Sequence, residues 1–194
     1  MLRARSQRRG SQLLSTMLPS IEDVLGFWFA DSKRWWTKDT AFDAEIRDRF
    51  LGLHDAVERG AREEWLETAR GALAYVIVLD QFSRNMFRGS ARMFEGDERA
   101  LSAARSAIDR GFDQGLSTDE RSFLYMPFMH SEDIADQDRS VQLFASTVPE
   151  SLSYAEKHRA VVRRFGRFPH RNALLARAST AEELEFLKQP GSSF

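Results

Sequence analysis

Apolar residues recur along this chain at the three- and four-residue spacing of amphipathic α-helices. The longest such face ends before Gly60 and consists of Phe42, Ile46, Phe50, Leu53 and Val57. No stretch alternates apolar and polar residues in the way that half-buried strands do. The pattern predicts an all-α protein.

Capping residues mark where the predicted helices begin. Ser20 with Asp23, and Ser117 with Glu120, place a hydroxyl three residues before a carboxylate, which is the spacing of a capping box. The first of these helices is expected to run to about residue 30. Other helices are predicted over residues 97–110 and 152–165, after Ser131, and in a short last segment marked by Ser179 and Glu182. We expect about eight antiparallel-packed helices in one domain that spans residues 20–194.

One predicted helix is apolar around its whole circumference. Residues 72–79 read ALAYVIVL, which is typical of a central, buried helix, although a buried parallel strand is the alternative. Polar residues follow directly: Asp80 and Arg84 are four positions apart, beside a second stripe of Gln81, Asn85 and Arg88. A structural ion pair with amide caps would explain them. Because burying such a pair is costly, a functional site is the competing interpretation. In that case Asp80 is a candidate catalytic residue, and the candidate ligand-binding residues are Gln81, Arg84, Asn85 and Arg88.

His130 follows a proline inside a predicted helix. Pro127 removes one backbone donor, so the helix should kink or end near His130 and turn this side chain inward. Glu132 and Asp133 come next, and a histidine with two carboxylates could exchange protons or bind a divalent metal. A helix cap is the alternative interpretation of this segment.

Two further histidines and several arginines lie near the C-terminus. His158 is predicted to lie on the apolar face of its helix, where a partnered core histidine is the commoner case. The segment RRFGRFPHRN then carries His170 among guanidinium groups, which suit carboxylates or phosphates. Its candidate ligand-binding residues are Arg164, Arg167, Arg171 and Asn172. A solvated basic loop is the alternative.

The candidate polar residues have one property in common, which is that burial would remove their contacts with water. Asp80, Arg84, His130, His158 and Arg171 or Arg167 would each lose solvation without a partner, so we expect them to meet in one partly buried pocket. An aromatic group is expected to form core or a pocket wall: Phe27, Trp28, Phe29, Trp35, Trp36 and Phe42. Trp65 and His54 are interpreted as packing and surface residues.

Composition narrows the class of protein. The first twenty residues contain four arginines and no acidic residue, so residues 1–19 are expected to be a disordered extension, with Met17 as a natural start or, alternatively, a transit peptide. Because these arginines contribute +4, the formal net charge of −1 becomes −5 for residues 21–194. A mildly acidic body argues against nucleic acid as a partner.

The absence of cysteine excludes thiolate chemistry and favours a reducing cytoplasm. No apolar run reaches the roughly 20 residues that a membrane helix needs. The sequence identifies no cofactor and favours no metal. A metal would need His130, His158 or His170 together with carboxylates.

Five ordered motifs resemble one bacterial family, the one catalogued as domain of unknown function 924. They are IEDVLGFWF, LDQFSRNMFRG, FLYMPFMHSED, HRAVVRRFGRFPHRN and STAEELEFL, and together they span about residues 20–187. The resemblance implies an all-helical fold similar to tetratricopeptide-repeat arrays. It brings no established reaction, cofactor or catalytic residue.

Two hypotheses of function follow. The first is a pocket that binds a small anionic ligand through arginines, with a histidine moving protons if the protein is an enzyme. A metal-dependent hydrolase built on the three histidines is a narrower version of it. The second is a module that binds a peptide or protein in a groove between helices, without catalysis, by analogy with helical repeats.

Removing the first sixteen residues is expected to leave stability unchanged, because they lack apolar periodicity and precede the first capping signal. A chain that starts at Met17 should show the same thermal unfolding midpoint as the full chain. A clear drop would mean that the extension packs on the body.

Overall fold

The computed structural model describes residues 18–194, and this part of the chain contains eight helices and no strand. The helices are α1 (Ile21–Trp28), α2 (Thr40–Glu58), α3 (residues 69–86), α4 (Asp97–Asp109), α5 (Thr118–His130), α6 (Ile134–Thr147), α7 (Leu152–Phe165) and α8 (Ala181–Phe186). The all-α prediction is confirmed. The predicted extension up to Met17 lies outside the described residues, and Leu18 packs against the core.

Helix α3 is the centre of the fold. It runs as α-helix over Ala69–Val76, widens to a π-helix over Ile77–Phe82, and returns to α-helix over Ser83–Met86. It packs against α1, α2, α4 and α5, and Val76–Leu79 have no exposed surface. The buried-helix prediction is therefore confirmed and the strand alternative is wrong. The π-helical turn, which the sequence did not predict, carries Asp80 and Gln81.

The predicted capping boxes of α1 and α5 are present. Ser20 caps α1 with Asp23, and Ser117 caps α5 with Glu120. Helix α5 ends at His130, three residues after Pro127, as the proline predicts.

Two predicted caps are wrong by one or two residues. Asp133 caps α6 by accepting from the Ala135 amide, whereas the Ser131 hydroxyl donates to the Asp136 carboxylate. Thr180, not Ser179, caps α8 and forms the capping box with Glu183. The Ser179 hydroxyl instead accepts from the Asn172 side chain.

The aromatic group forms both core and surface. Trp28 and Phe42 are buried and stack on each other, but Trp36 is 67% exposed. His54 was expected at the surface and is fully buried on α2, because it follows the apolar positions of that helix. Among residues 18–194, no helix is long and apolar enough to cross a membrane.

Replacement of Gly71 by alanine is expected to destabilise the fold. A Cβ atom there would overlap the backbone carbonyl of Trp65, so the connection into α3 must shift, at a cost of about 1–3 kcal/mol in the free energy of unfolding. The control is Gly26→Ala on α1, where a Cβ meets no atom within 4 Å and helix propensity favours alanine by up to about 1 kcal/mol. Urea denaturation of both variants measures the difference, and equal stabilities would contradict this packing.

Candidate functional site

The predicted ion pair at the end of the apolar segment exists, and its carboxylate is completely buried. The Oδ1 atom of Asp80 lies 3.0 Å from Nη1 of Arg84 and 2.7 Å from Nδ1 of His130. The Gln81 amide donates to the other oxygen over 2.6 Å. Burial raises the pKa of Asp80, but Arg84, His130 and Gln81 outweigh it and hold that pKa below its ordinary value. Asp80 is therefore a carboxylate.

This carboxylate determines the tautomer of His130. Because a carboxylate only accepts, Nδ1 of His130 carries the proton and donates it. Burial lowers the pKa of His130, and Arg84 adds to this effect, so the imidazole is neutral near pH 7. Within residues 18–194 its Nε2 makes no hydrogen bond. A neutral imidazole held by a carboxylate through one nitrogen presents a base at the other.

A second carboxylate, Asp97 at the start of α4, joins two arginines. Arg84 binds both Asp97 oxygens, over 2.9 and 3.1 Å, and Arg171 donates to one of them over 3.2 Å. Arg171 also donates to the His130 carbonyl over 2.9 Å. We call Asp80, Arg84, Asp97, His130 and Arg171 the Asp80 cluster. Its two carboxylates and two guanidinium groups balance in charge.

His158 and His170 lie beside this cluster. The ring centroids of His130 and His158 are 6.3 Å apart. His158 donates through Nδ1 to the Tyr154 carbonyl over 2.7 Å, which leaves its Nε2 as an acceptor. The Phe194 ring stacks on His158 with 3.8 Å between centroids.

Burial lowers the pKa values of the two histidines and of Arg171 at this site. It lowers the pKa of His158 to about 3, with a further contribution from His130. It also lowers the pKa of His170 to about 4, aided by Arg171. The pKa of Arg171 itself falls to about 10, because burial and the neighbouring Arg84 disfavour its charge. Both histidines are thus neutral near pH 7, beside an arginine that stays charged.

Two polar atoms at this site are buried without a hydrogen-bond partner. They are Nε of Arg171 and Nδ1 of His170. The Arg171 guanidinium lies over two aromatic rings, with its Cζ atom 4.6 Å from the Phe94 centroid and 4.7 Å from that of Phe168. Since buried polar atoms are nearly always hydrogen-bonded, these two are unusual.

Other predicted ligand-binding residues lie away from this cluster. Asn85 and Arg88 both donate to Asp43 of α2. Arg164 pairs with Glu182, and Arg167 pairs with Glu183 at the start of α8. These side chains join helices, because each already has a carboxylate in ion-pair or hydrogen-bond contact.

Glu132 and Asn172 form a separate structural turn. Arg177 binds both oxygens of Glu132, over 2.6 and 2.9 Å, and donates to the side-chain Oδ1 atom of Asn172. The Phe168 amide also donates to Glu132. Asp133 caps α6. The side chains of the HSED segment therefore have different partners, and only His130 points into the Asp80 cluster.

The three-histidine metal site is not formed. Among residues 18–194, one group of three side chains has the spacing of a metal site, and it consists of His54, Asp55 and Glu58. It contains none of the three predicted histidines, His130, His158 and His170. Both oxygens of Glu132 are already bound by Arg177. The arrangement that the hydrolase hypothesis needs, two of these histidines beside Glu132 or Asp133, is therefore not assembled among residues 18–194.

Sequence reasoning missed Asp97 and Phe194. Asp97 was interpreted only as the first residue of a helix, although two buried arginines require a shared acceptor. The sequence did contain a signal for a further carboxylate, because the candidate site residues included more arginines than carboxylates. Nothing in the sequence pattern placed Phe194 on His158.

Acidification is expected to destabilise the fold between pH 6.5 and 5. In the folded state the pKa of His158 is about 3, whereas in the unfolded chain it returns to its ordinary value of 6.5. Below pH 6.5 unfolding therefore takes up a proton at His158. The free energy of unfolding decreases as the pH is lowered. Each such histidine contributes about 2 kcal/mol of this loss at pH 5. Urea denaturation at pH 7 and pH 5 should show the loss, and His158→Gln should reduce it. The exposed Lys157→Gln is the control, and a wild-type stability that does not change with pH would refute the assignment.

Comparison with known proteins supports the all-helical fold and identifies no reaction or ligand. A family model described as a bacterial protein of unknown function, DUF924, matches residues 24–191. A solved structure of a protein of unknown function, ATU0120 from Agrobacterium tumefaciens, is 46% identical, with a TM-score of 0.84 over 87% of this chain and 96% of that one. No curated protein matches. The chain belongs to the DUF924 family.

Proposed function

We propose that the Asp80 cluster and the neighbouring histidines bind a small molecule through an anionic group. The observation that carries this proposal is the pair of buried atoms without protein partners, Nε of Arg171 and Nδ1 of His170. A carboxylate or phosphate oxygen would accept from the Arg171 N–H, and a ligand hydroxyl could donate to His170. A bound ligand would thereby remove two desolvation costs that the protein alone leaves in place.

Arg171 suits an anion better than the other candidate arginines do. Its neighbours Asp97 and the His130 carbonyl occupy both terminal nitrogens, but not Nε. Cation–π contacts with Phe94 and Phe168 restrict the guanidinium, so little conformational entropy is lost when a ligand binds. Arg164, by contrast, is half exposed and already faces Glu182.

His130 supplies the group that could act on such a ligand. Asp80 orients its ring, and the free Nε2 can take a proton from the ligand or from a water molecule next to it. In that case the protein is an enzyme, and Asp80 stabilises the imidazolium that forms. Phe194 is 48% exposed and covers His158, so displacement of its ring would give a ligand access to His158.

Binding of inorganic phosphate and of acetate tests the proposal. In calorimetric titrations the wild type should bind at least one of them, and Arg171→Gln should weaken that binding about tenfold or more, the equivalent of about 1.4 kcal/mol. The control Arg164→Gln removes a guanidinium from the same region and should leave the affinity unchanged. Circular dichroism reports whether each variant is folded.

Arg171→Lys provides a second test if the glutamine variant unfolds. Lysine keeps the positive charge but has no N–H in the Nε position, so it should weaken binding while retaining the contact with Asp97. A wild-type protein that binds neither anion at tens of millimolar would contradict the proposal.

A groove beside α1 favours the second candidate, a peptide-binding module. A cavity of about 590 Å³ there is lined by apolar and charged side chains, among them Phe29, Trp35, Arg70 and Glu120. Such a mixture suits an extended or helical peptide. The analogy with tetratricopeptide-repeat arrays supports this use of the fold but carries no residue-level evidence. Failure of both anions to bind would favour this alternative.

A further inference from the structure

His54 is the one buried histidine whose chemistry the proposed function does not use. It lies on α2 with no exposed surface. Its Nε2 is 2.6 Å from the Ser83 hydroxyl oxygen, which is itself 2.6 Å from the Leu79 carbonyl oxygen. A carbonyl only accepts, so the Ser83 hydroxyl donates to Leu79 and accepts from His54. The Nε2 proton is thereby fixed, and Nδ1 keeps its lone pair when the ring is neutral.

This lone pair faces two carboxylates. Nδ1 of His54 lies 3.6 Å from Oε2 of Glu58 and 3.8 Å from Oδ1 of Asp55, and it is fully buried without a hydrogen bond. Three electron-pair donors therefore point at one small volume, an arrangement that a cation would stabilise.

Arg92 balances only part of this charge. Its Nη2 atom lies 2.5 Å from Asp55 and 3.3 Å from Glu58, but it makes no hydrogen bond to His54. Nδ1 of His54 and Oε1 of Glu58 stay buried without partners. The Arg92 side chain is 36% exposed, so it has room to move away from the carboxylates.

We propose that His54, Asp55 and Glu58 form a binding site for a divalent transition-metal ion of the zinc class. All three ligand atoms lie within 4.8 Å of one another. Two ligand atoms of one tetrahedral zinc ion lie about 3.4 Å apart, so the ligand atoms need to approach one another by up to about 1.4 Å. One imidazole nitrogen with two carboxylate oxygens suits zinc, cobalt or manganese better than magnesium or calcium, which prefer oxygen alone.

An open surface gives an ion access to the site. Glu58 also lines a cavity of about 610 Å³, together with Glu95, Glu98 and Arg99. Three carboxylates and one guanidinium give this cavity a net negative charge, which attracts cations. Three protein ligands leave at least one coordination position of the ion for water or another molecule from the cavity.

Zinc titration of the chelator-treated full chain tests the site. Calorimetry with zinc chloride should give one ion per chain, and Glu58→Gln should weaken the affinity by about tenfold or more. Glu45→Gln is the matched control, because Glu45 lies on the same helix but pairs with Arg34 and Arg49, and it should bind zinc like the wild type. Arg92→Gln removes the competing cation and should strengthen binding.

Separate measurements keep the result clear if Glu58→Gln unfolds. Asp55→Asn removes a second ligand at a less buried position and should also weaken zinc binding. In the wild type, zinc should shift the imidazole NMR signals of His54 and leave those of His158 unchanged. A wild type that does not bind zinc at about 100 μM, or zinc binding that survives Glu58→Gln but is lost in His158→Gln, would overturn the proposal.

Discussion

Asp80 keeps a negative charge at the buried end of the apolar segment of α3, and the groups that neutralise this charge connect α3 to other helices. An unpaired carboxylate with no exposed surface would cost several kcal/mol. Here Arg84, Gln81 and His130 surround it at 2.6–3.0 Å. The contact to His130 joins α3 to the end of α5. Arg84 in turn joins α3 to Asp97 at the start of α4.

The need of buried charges for partners also explains why Arg171 lies in the interior. Asp97 accepts from both Arg84 and Arg171, so the segment after α7 is tied to α4 through one carboxylate. Burial and the neighbouring Arg84 disfavour the charge of Arg171 and lower its pKa to about 10, although Asp97 opposes this effect. The protein therefore tolerates a buried guanidinium that is incompletely hydrogen-bonded, which is a costly arrangement unless a ligand completes it. This cost underlies the proposed anion site.

The two proposed sites use histidine in different ways. A carboxylate accepts from Nδ1 of His130 and leaves Nε2 as a base. A hydroxyl accepts from Nε2 of His54 and leaves Nδ1 toward two carboxylates. The first arrangement suits proton transfer and the second suits a metal ion, because the free nitrogen of His54 has negative groups around it. Both rings contact α3, on residues 80 and 83, within or next to its π-helical turn.

The sequence by itself determined the helices and which polar groups would need partners. Periodicity, capping residues and glycines are local signals, so α1, α2, α4, α5 and α7 lie within a few residues of their predicted bounds. The meeting of Asp80, Arg84, His130 and Arg171 also followed, because each is polar beside apolar neighbours and desolvation makes mutual contact the least costly solution.

Only the tertiary structure decided which arginine belongs to which carboxylate. Ion pairs between distant segments depend on how helices pack, and many pairings fit the same sequence pattern. Arg88, Arg164 and Arg167 therefore face Asp43, Glu182 and Glu183 rather than the Asp80 cluster. The hydrogen bond that orients the ring of His54 was likewise decided by packing, because its acceptor, the Ser83 hydroxyl, lies twenty-nine residues away in the chain.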